Sequence, residues 1–145
     1  LRTFSKLCSL AGIRVGYILG NPQLITYIEN AEGSYNVNAI GILFATELLE
    51  NPNVLQDLAD IQEEGKRYLC EQLMQQGYEY LGKYGNYVLI RTHKNPKDVA
   101  KRLREEKILI KTYGNPLLEN WVRITTGSKK VMQQFWEAFI RIDAE

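Results

Sequence analysis

The residues best able to do chemistry lie at the start of the chain. Thr3-Phe4-Ser5-Lys6 is followed by Leu10-Ala11-Gly12-Ile13-Arg14-Val15-Gly16-Tyr17. A lysine held where its amine is neutral can form an imine with an aldehyde. A phosphate calls for hydroxyls, backbone amides and a guanidinium. Thr3 and Ser5 can offer hydroxyls from one side of an extended segment, and Arg14 a two-pronged cation from the next strand. Gly12 and Gly16 permit close backbone approach. Read by type alone, Lys6 and Arg14 also fit solvated loop charges.

Two further cations stand out near the other end. Lys111 closes the run Ile108-Leu109-Ile110, and Arg123 sits between Val122 and Ile124. If those two strands pair, both cations can serve one cleft, one for a carboxylate and one for a distal anion. An apolar substrate would leave Lys111 buried without a partner, which is costly. The plainer alternatives are a strand-face ion pair for Arg123 and a solvated strand end for Lys111.

Other chemistries are poorly served. The only histidine, His93, lies beside Lys94 and Asn95 in what reads as a strand-end loop, so a Ser-His-Asp triad has little support. Cys8 and Cys70 are far apart with no Cys-x-x-Cys spacing, so neither a metal site nor a disulfide framework is expected. Two free thiols suit a reducing compartment, and a cytoplasmic location is the expectation. With 145 residues there is room for one domain or two small ones. A net charge of +1 gives no electrostatic reason to expect nucleic acid or an anionic membrane as partner. No apolar run approaches the roughly 18 residues that span a bilayer, and no signal peptide is visible.

The elements that must position these residues can be read from pattern. Residues 13–19 read as a strand between Gly12 and Gly20-Asn21-Pro22. Residues 22–31 read as a short amphipathic helix with Leu24, Ile25 and Ile28 on its apolar side. Residues 37–50 place most apolar side chains on one helical face, and Pro52 stops or kinks that run. A longer helix continues to Gly77 as its C-cap. Strands at 78–80 and 87–91, a helix over 97–106, strands at 108–112 and 121–125 and a final helix capped by Ser128 complete the chain. That β-β-α-β-β-α order predicts a small sheet with two helices on one face. Three parts follow: 1–35 as strand and loop needing a partner, 36–77 as connecting helices, and 78–145 as a small α+β domain.

Five segments, in order, carry a resemblance to a known family. They are Arg2-Thr3-Phe4-Ser5-Lys6, Leu10 to Tyr17, Tyr35-Asn36-Val37-Asn38, Gly85-Asn86-Tyr87-Val88, and Val122-Arg123-Ile124-Thr125-Thr126-Gly127-Ser128. The run resembles fold-type I aminotransferases that use pyridoxal phosphate, and most closely the histidinol-phosphate aminotransferases. The resemblance implies an α/β fold: the end of a large cofactor domain, long connecting helices and the small C-terminal domain. It implies Lys6 as the cofactor's Schiff-base lysine, Thr3, Ser5 and Arg14 as holders of the cofactor phosphate, and Arg123 as the clamp for a substrate carboxylate. It further implies amino acid and 2-oxo acid substrates and a homodimer. The aspartate and aromatic that serve the pyridine ring lie upstream of Leu1 in the family. The chain is therefore expected to be the C-terminal part of a longer protein, inactive by itself.

Two positions depart from the family. The residue before Tyr35-Asn36 is usually proline and here is Ser34. An arginine commonly ends the Ile-Leu-Ile strand and binds substrate phosphate, and here it is Lys111, a point charge without the fork. The alternatives are an aromatic aminotransferase, a threonine-phosphate decarboxylase, or a non-catalytic interaction module at 78–145. For Asn36 and Asn38 a helix N-cap is the competing reading, above all for Asn38.

Overall fold

The computed structural model describes residues 1–33, 36–82 and 84–144. Ser34 and Tyr35, singled out above, lie outside the described residues. The elements are β1 (Arg2–Thr3), a 3-10 turn (Ala11–Ile13), β2 (Gly16–Tyr17), α1 (Pro22–Ala31), α2 (Ala39–Glu50), α3 (Pro52–Gln75), β3 (Tyr80–Leu81), β4 (Tyr87–Arg91), α4 (Pro96–Glu105), β5 (Lys111–Thr112), β6 (Trp121–Thr125) and α5 (Lys129–Ala144). They form two compact units, Leu1–Ala59 and Asp60–Glu145.

The helix starts follow from local chemistry. Asn21 and Asn95 each precede a proline, and their side-chain oxygens accept the N–H of Gln23 and Lys97, both at 2.9 Å. Proline in the first helical turn loses no hydrogen bond, and asparagine supplies the missing acceptor. Asn38 caps α2 by accepting from the Gly41 N–H at 2.7 Å, so the capping reading holds for it.

In the first unit, β1 and β2 pair antiparallel with Arg2 opposite Tyr17 and Thr3 opposite Gly16. The expected strand over 13–19 shrinks to Gly16–Tyr17. A strand persists only where a partner offers hydrogen bonds, and β1 offers two residues. Upstream, Arg14 takes a left-handed conformation (φ 60°) that ends the 3-10 turn. The single apolar face expected of α2 is also corrected. Apolar side chains surround it, and Ile40, Ile42, Leu43, Phe44 and Leu49 are exposed. A helix apolar all round is made to be covered on several sides. Helix α1 likewise buries no residue.

The second unit has an antiparallel sheet of order β3-β4-β6-β5. Val88, Ile90, Val122 and Ile124 face Val99 and Leu103 of α4 and Phe135, Phe139 and Ile142 of α5 in one core, as the sequence pattern predicts. Leu69 and Leu73 of α3 are buried in that core too. Helix α3 comes so close to the turn before α5 that a Cβ on Gly65 would strike the Gly127 carbonyl oxygen and the Ser128 backbone.

Two expected strands begin late, for one reason. Gly77, with φ +72°, ends α3: the Tyr78 N–H donates to the Leu73 carbonyl and the Gly77 N–H to the Met74 carbonyl. Lys107, with φ 64°, ends α4 in the same way, with Ile108 donating to Leu103 and Lys107 to Arg104. This helix-ending motif uses Tyr78 and Ile108, so pairing starts at Tyr80 and Lys111. The fully buried Asp143 carboxylate accepts the backbone N–H of His93 at 2.9 Å and of Lys94 at 3.0 Å, tying the loop before α4 to α5. Among the described residues no helix is long and apolar enough to cross a membrane.

Two outcomes are expected. Lys107→Gly relieves a side chain in the left-handed region and should raise the unfolding free energy by about 1 kcal/mol in denaturant titration. Burial, then the negative charge of Asp143, raise the Tyr78 phenol well above its ordinary value of 10.0. The folded state thus keeps a proton that the unfolded chain releases. Stability should hold below pH 10 and fall above it, by up to about 1.4 kcal/mol per pH unit. Tyr78→Phe should abolish that part of the slope in alkaline denaturation curves.

Candidate functional site

The Lys6 group belongs to the first unit. The β1–β2 ladder continues through the Phe4 N–H, which donates to the Val15 carbonyl at 3.3 Å. Phe4 and Val15, 5% and 9% exposed, anchor the two segments, and the Phe4 ring lies 5.7 Å from Tyr17. Gly16 is required by proximity, since a Cβ there would stand 2.5 Å from the Arg2 carbonyl oxygen. Gly12 has open space and no such demand.

The hydroxyls are arranged in advance. Thr3 Oγ1 donates to Ser5 Oγ at 2.9 Å and accepts the Ser5 N–H at 3.1 Å. Lys6 opens a turn closed by the Ser9 N–H on the Lys6 carbonyl at 3.1 Å, with Ser9 at φ 56°. Its side chain is exposed and forms no ion pair among the described residues. Arg14 is exposed and reaches only the Ala11 carbonyl, at 3.5 Å. Thr3 and Ser5 are therefore brought together on the segment that leads into Lys6, while Arg14 bonds only within its own turn. Burial raises the neighbouring Cys8 thiol, which stays protonated at neutral pH.

The second group lies on the sheet of the second unit. β5 and β6 do pair, with Lys111 directly opposite Arg123. Cross-strand partners share a face, so both cations stand on the side away from Val122 and Ile124. Lys111 is exposed, with its Nζ 5.7 Å from the centre of the Tyr113 ring. Arg123 is half-buried, its Nε fully buried without a hydrogen-bond partner. Its guanidinium carbon stands 5.5 Å from the Tyr87 ring centre. The ion-pair reading of Arg123 finds no acid among the described residues.

His93 stacks on Tyr78 at 4.4 Å, and its Nδ1 is 3.9 Å from the Asp143 carboxylate, whose oxygens are already taken by backbone amides. That is a structural role. Among the described residues no cluster of His, Cys, Asp and Glu could hold a metal ion. Sequence reasoning passed over Tyr87 as a site residue. Its alternation with Leu89, the register partner of Arg123, is the signal that could have found it.

The aminotransferase class I and II model matches residues 1–139. The histidinol-phosphate aminotransferase of Geotalea daltonii is 29% identical over 142 residues, covering 97% of this chain and 41% of that protein. The chain thus spans about two fifths of the length of the curated relatives it matches. Histidinol-phosphate aminotransferase from Sinorhizobium meliloti, solved with pyridoxal-5'-phosphate, superposes with TM-score 0.82 at 23% identity, over 99% of this chain and 40% of that one. The L-threonine-O-3-phosphate decarboxylase of Porphyromonas gingivalis superposes with TM-score 0.78 at 25% identity, over 99% and 46%.

Gly16→Ala should open the β1–β2 ladder, since its methyl meets backbone that cannot step aside. Hydrogen exchange at the Phe4 amide is the measurement. Acceleration of about tenfold or more is expected, on the scale of a lost backbone hydrogen bond.

Proposed function

Because the chain belongs to the aminotransferase class I and II family, we propose that it is part of a pyridoxal-phosphate-dependent aminotransferase. The substrate pair we favour is histidinol phosphate with 2-oxoglutarate. One observation carries the substrate reading. Arg123 and Lys111 stand directly opposite each other, and neither has an acidic partner among the described residues. Like charges across a ladder repel, and a half-buried cation without a counter-ion is costly. An anion from outside relieves both. Glutamate brings two carboxylates and histidinol phosphate a dianion, so one cation pair can serve both half-reactions.

The first unit fits the cofactor. Thr3 and Ser5 offer hydroxyls 2.9 Å apart on the segment that leads into Lys6, and Arg14, just ahead of the partner strand, is bonded only weakly to Ala11. Hydroxyls with a fork-shaped cation are the donor set for a phosphate dianion. When bound, pyridoxal phosphate supplies an electron sink for the carbanion left by the departing α-proton. Lys6 is the residue we assign to take that proton and return it. Arg123 is the residue we assign to grip the glutamate carboxylate in two-pronged fashion. The partners of the pyridine ring would come from the part of the protein ahead of Leu1. The exposed apolar residues of α1 and α2 support further covering protein surface, and a homodimer in the cytoplasm is the assembly we favour.

The likeness to a threonine-phosphate decarboxylase, together with Lys111 in place of arginine, keeps that enzyme as a second reading. Both readings are tested in the full-length protein. Added pyridoxal phosphate should give the absorbance change of covalent attachment to a lysine, and Lys6→Ala should lose it. Lys111→Met should lower kcat/KM for histidinol phosphate at least tenfold more than for an aromatic amino acid, the scale of one charge-assisted hydrogen bond. Equal losses would remove Lys111 as the distal-anion residue. Release of carbon dioxide from threonine phosphate would move the assignment to the decarboxylase.

A further inference from the structure

Arg123 poses a mechanical question. Its side chain is held on the outer face of β6 without a hydrogen bond or ion pair among the described residues. On one side its cross-strand neighbour is Lys111, which repels it; on the other it is Leu89, which offers no acceptor. No polar bond then fixes the outer nitrogens of the fork, and a carboxylate must order them at the moment of binding. One contact opposes this freedom. The guanidinium carbon lies 5.5 Å from the centre of the Tyr87 ring, within cation–π range. Tyr87 is two residues from Leu89 on β4, so it is the diagonal neighbour of Arg123 on the same face. It is half-buried, with its backbone fixed by pairing to Thr125.

We infer that Tyr87 is a positioning residue: its ring face holds the Arg123 guanidinium in the orientation that receives a substrate carboxylate. The inference rests on the reading of Arg123 as the carboxylate clamp. A ring suits this task better than an acid. A carboxylate partner would occupy the fork and compete with substrate, whereas a π face attracts the cation and leaves its N–H donors unspent. The N–H groups of the two terminal guanidinium nitrogens are then available for two-pronged binding.

The test uses the full chain, with succinate as the probe and the Arg123 Nε–H resonance as one readout. Ring current from Tyr87 should displace that resonance before any ligand is added, and Tyr87→Leu should return it toward the exposed-arginine position. Succinate should bind about tenfold more weakly to Tyr87→Leu than to the unaltered chain, the scale of a partly desolvated cation–π contact. Tyr87→Phe should retain binding within about twofold. Should Tyr87→Leu fail to fold by circular dichroism, pentafluorophenylalanine installed at position 87 keeps the shape while reversing the charge of the ring face, and should weaken succinate as much. Unchanged succinate affinity in the folded leucine or pentafluoro variant, with binding lost in Arg123→Gln, overturns the positioning role alone. If Arg123→Gln binds as well as the unaltered chain, or the unaltered chain does not bind succinate, the carboxylate reading of Arg123 falls and this inference with it.

Discussion

The five-residue ladder between β4 and β6 is the constraint on which the second unit depends. Tyr87 through Arg91 pair one for one with Thr125 through Trp121. Because a strand alternates faces, this single register decides two things at once. It sends Val88, Ile90, Val122 and Ile124 into the core, where all are nearly inaccessible. It sends Tyr87, Leu89 and Arg123 to the opposite face. A slip of β6 by one residue would expose Val122 and Ile124, each worth about 1.5–3 kcal/mol when buried. It would also drive Arg123 against Phe139 and Leu103, where an unpaired charge is far costlier. The hydrophobic core thus sets the position of a polar residue that makes almost no contacts of its own.

The ends of that ladder are held by the helices. The Thr126 N–H donates to the Asn86 carbonyl at 2.9 Å, continuing the strand pairing beyond Arg123. Lys66 of α3 donates to the Gly85 carbonyl at 2.9 Å, and Gly65 lets the same helix meet the backbone at Gly127. At the other end, the Thr92 N–H bonds to Asn120, and Asp143 of α5 grips the next two amides. Each device acts on backbone within a few residues of Arg123 or its partner strand. Rigid support of this kind lowers the entropy a binding residue must lose on meeting its ligand.

How legible this was varied with the kind of signal. Two helix starts were legible from proline, which suits a first helical turn, at Pro22 and Pro96; the asparagine caps before them emerge only from the structure. The core was plain because alternation in 87–91 and 121–125 matches the sheet period. The types of the Lys6 group were visible, but the bond between the Thr3 and Ser5 hydroxyls was not, nor was the left-handed Arg14 that shortens the strand to two residues, a conformation no propensity favours. Strand starts were misplaced at Tyr78 and Ile108 because helix-ending motifs take those residues first. Lys107 gives no glycine signal at the second of them. The apolar run in α2 was misread because periodicity finds one stripe, whereas this helix is apolar around its circumference.

Lys6 and Arg123 share a physical form despite their different settings. In each, the backbone is fixed by pairing or by a buried anchor, Phe4 with Val15 in one and Val122 with Ile124 in the other. In each, the polar atoms borne on that backbone lack acidic partners among the described residues. Folding alone gives no reason for this. A sequence selected for stability alone would place a glutamate opposite Lys111 rather than beside an arginine's strand, gaining a cross-strand pair of up to about 1 kcal/mol. Keeping two cations face to face forgoes that gain and adds repulsion. The anion site we propose would account for that arrangement, because an internal acid would have to be displaced each time the anion bound.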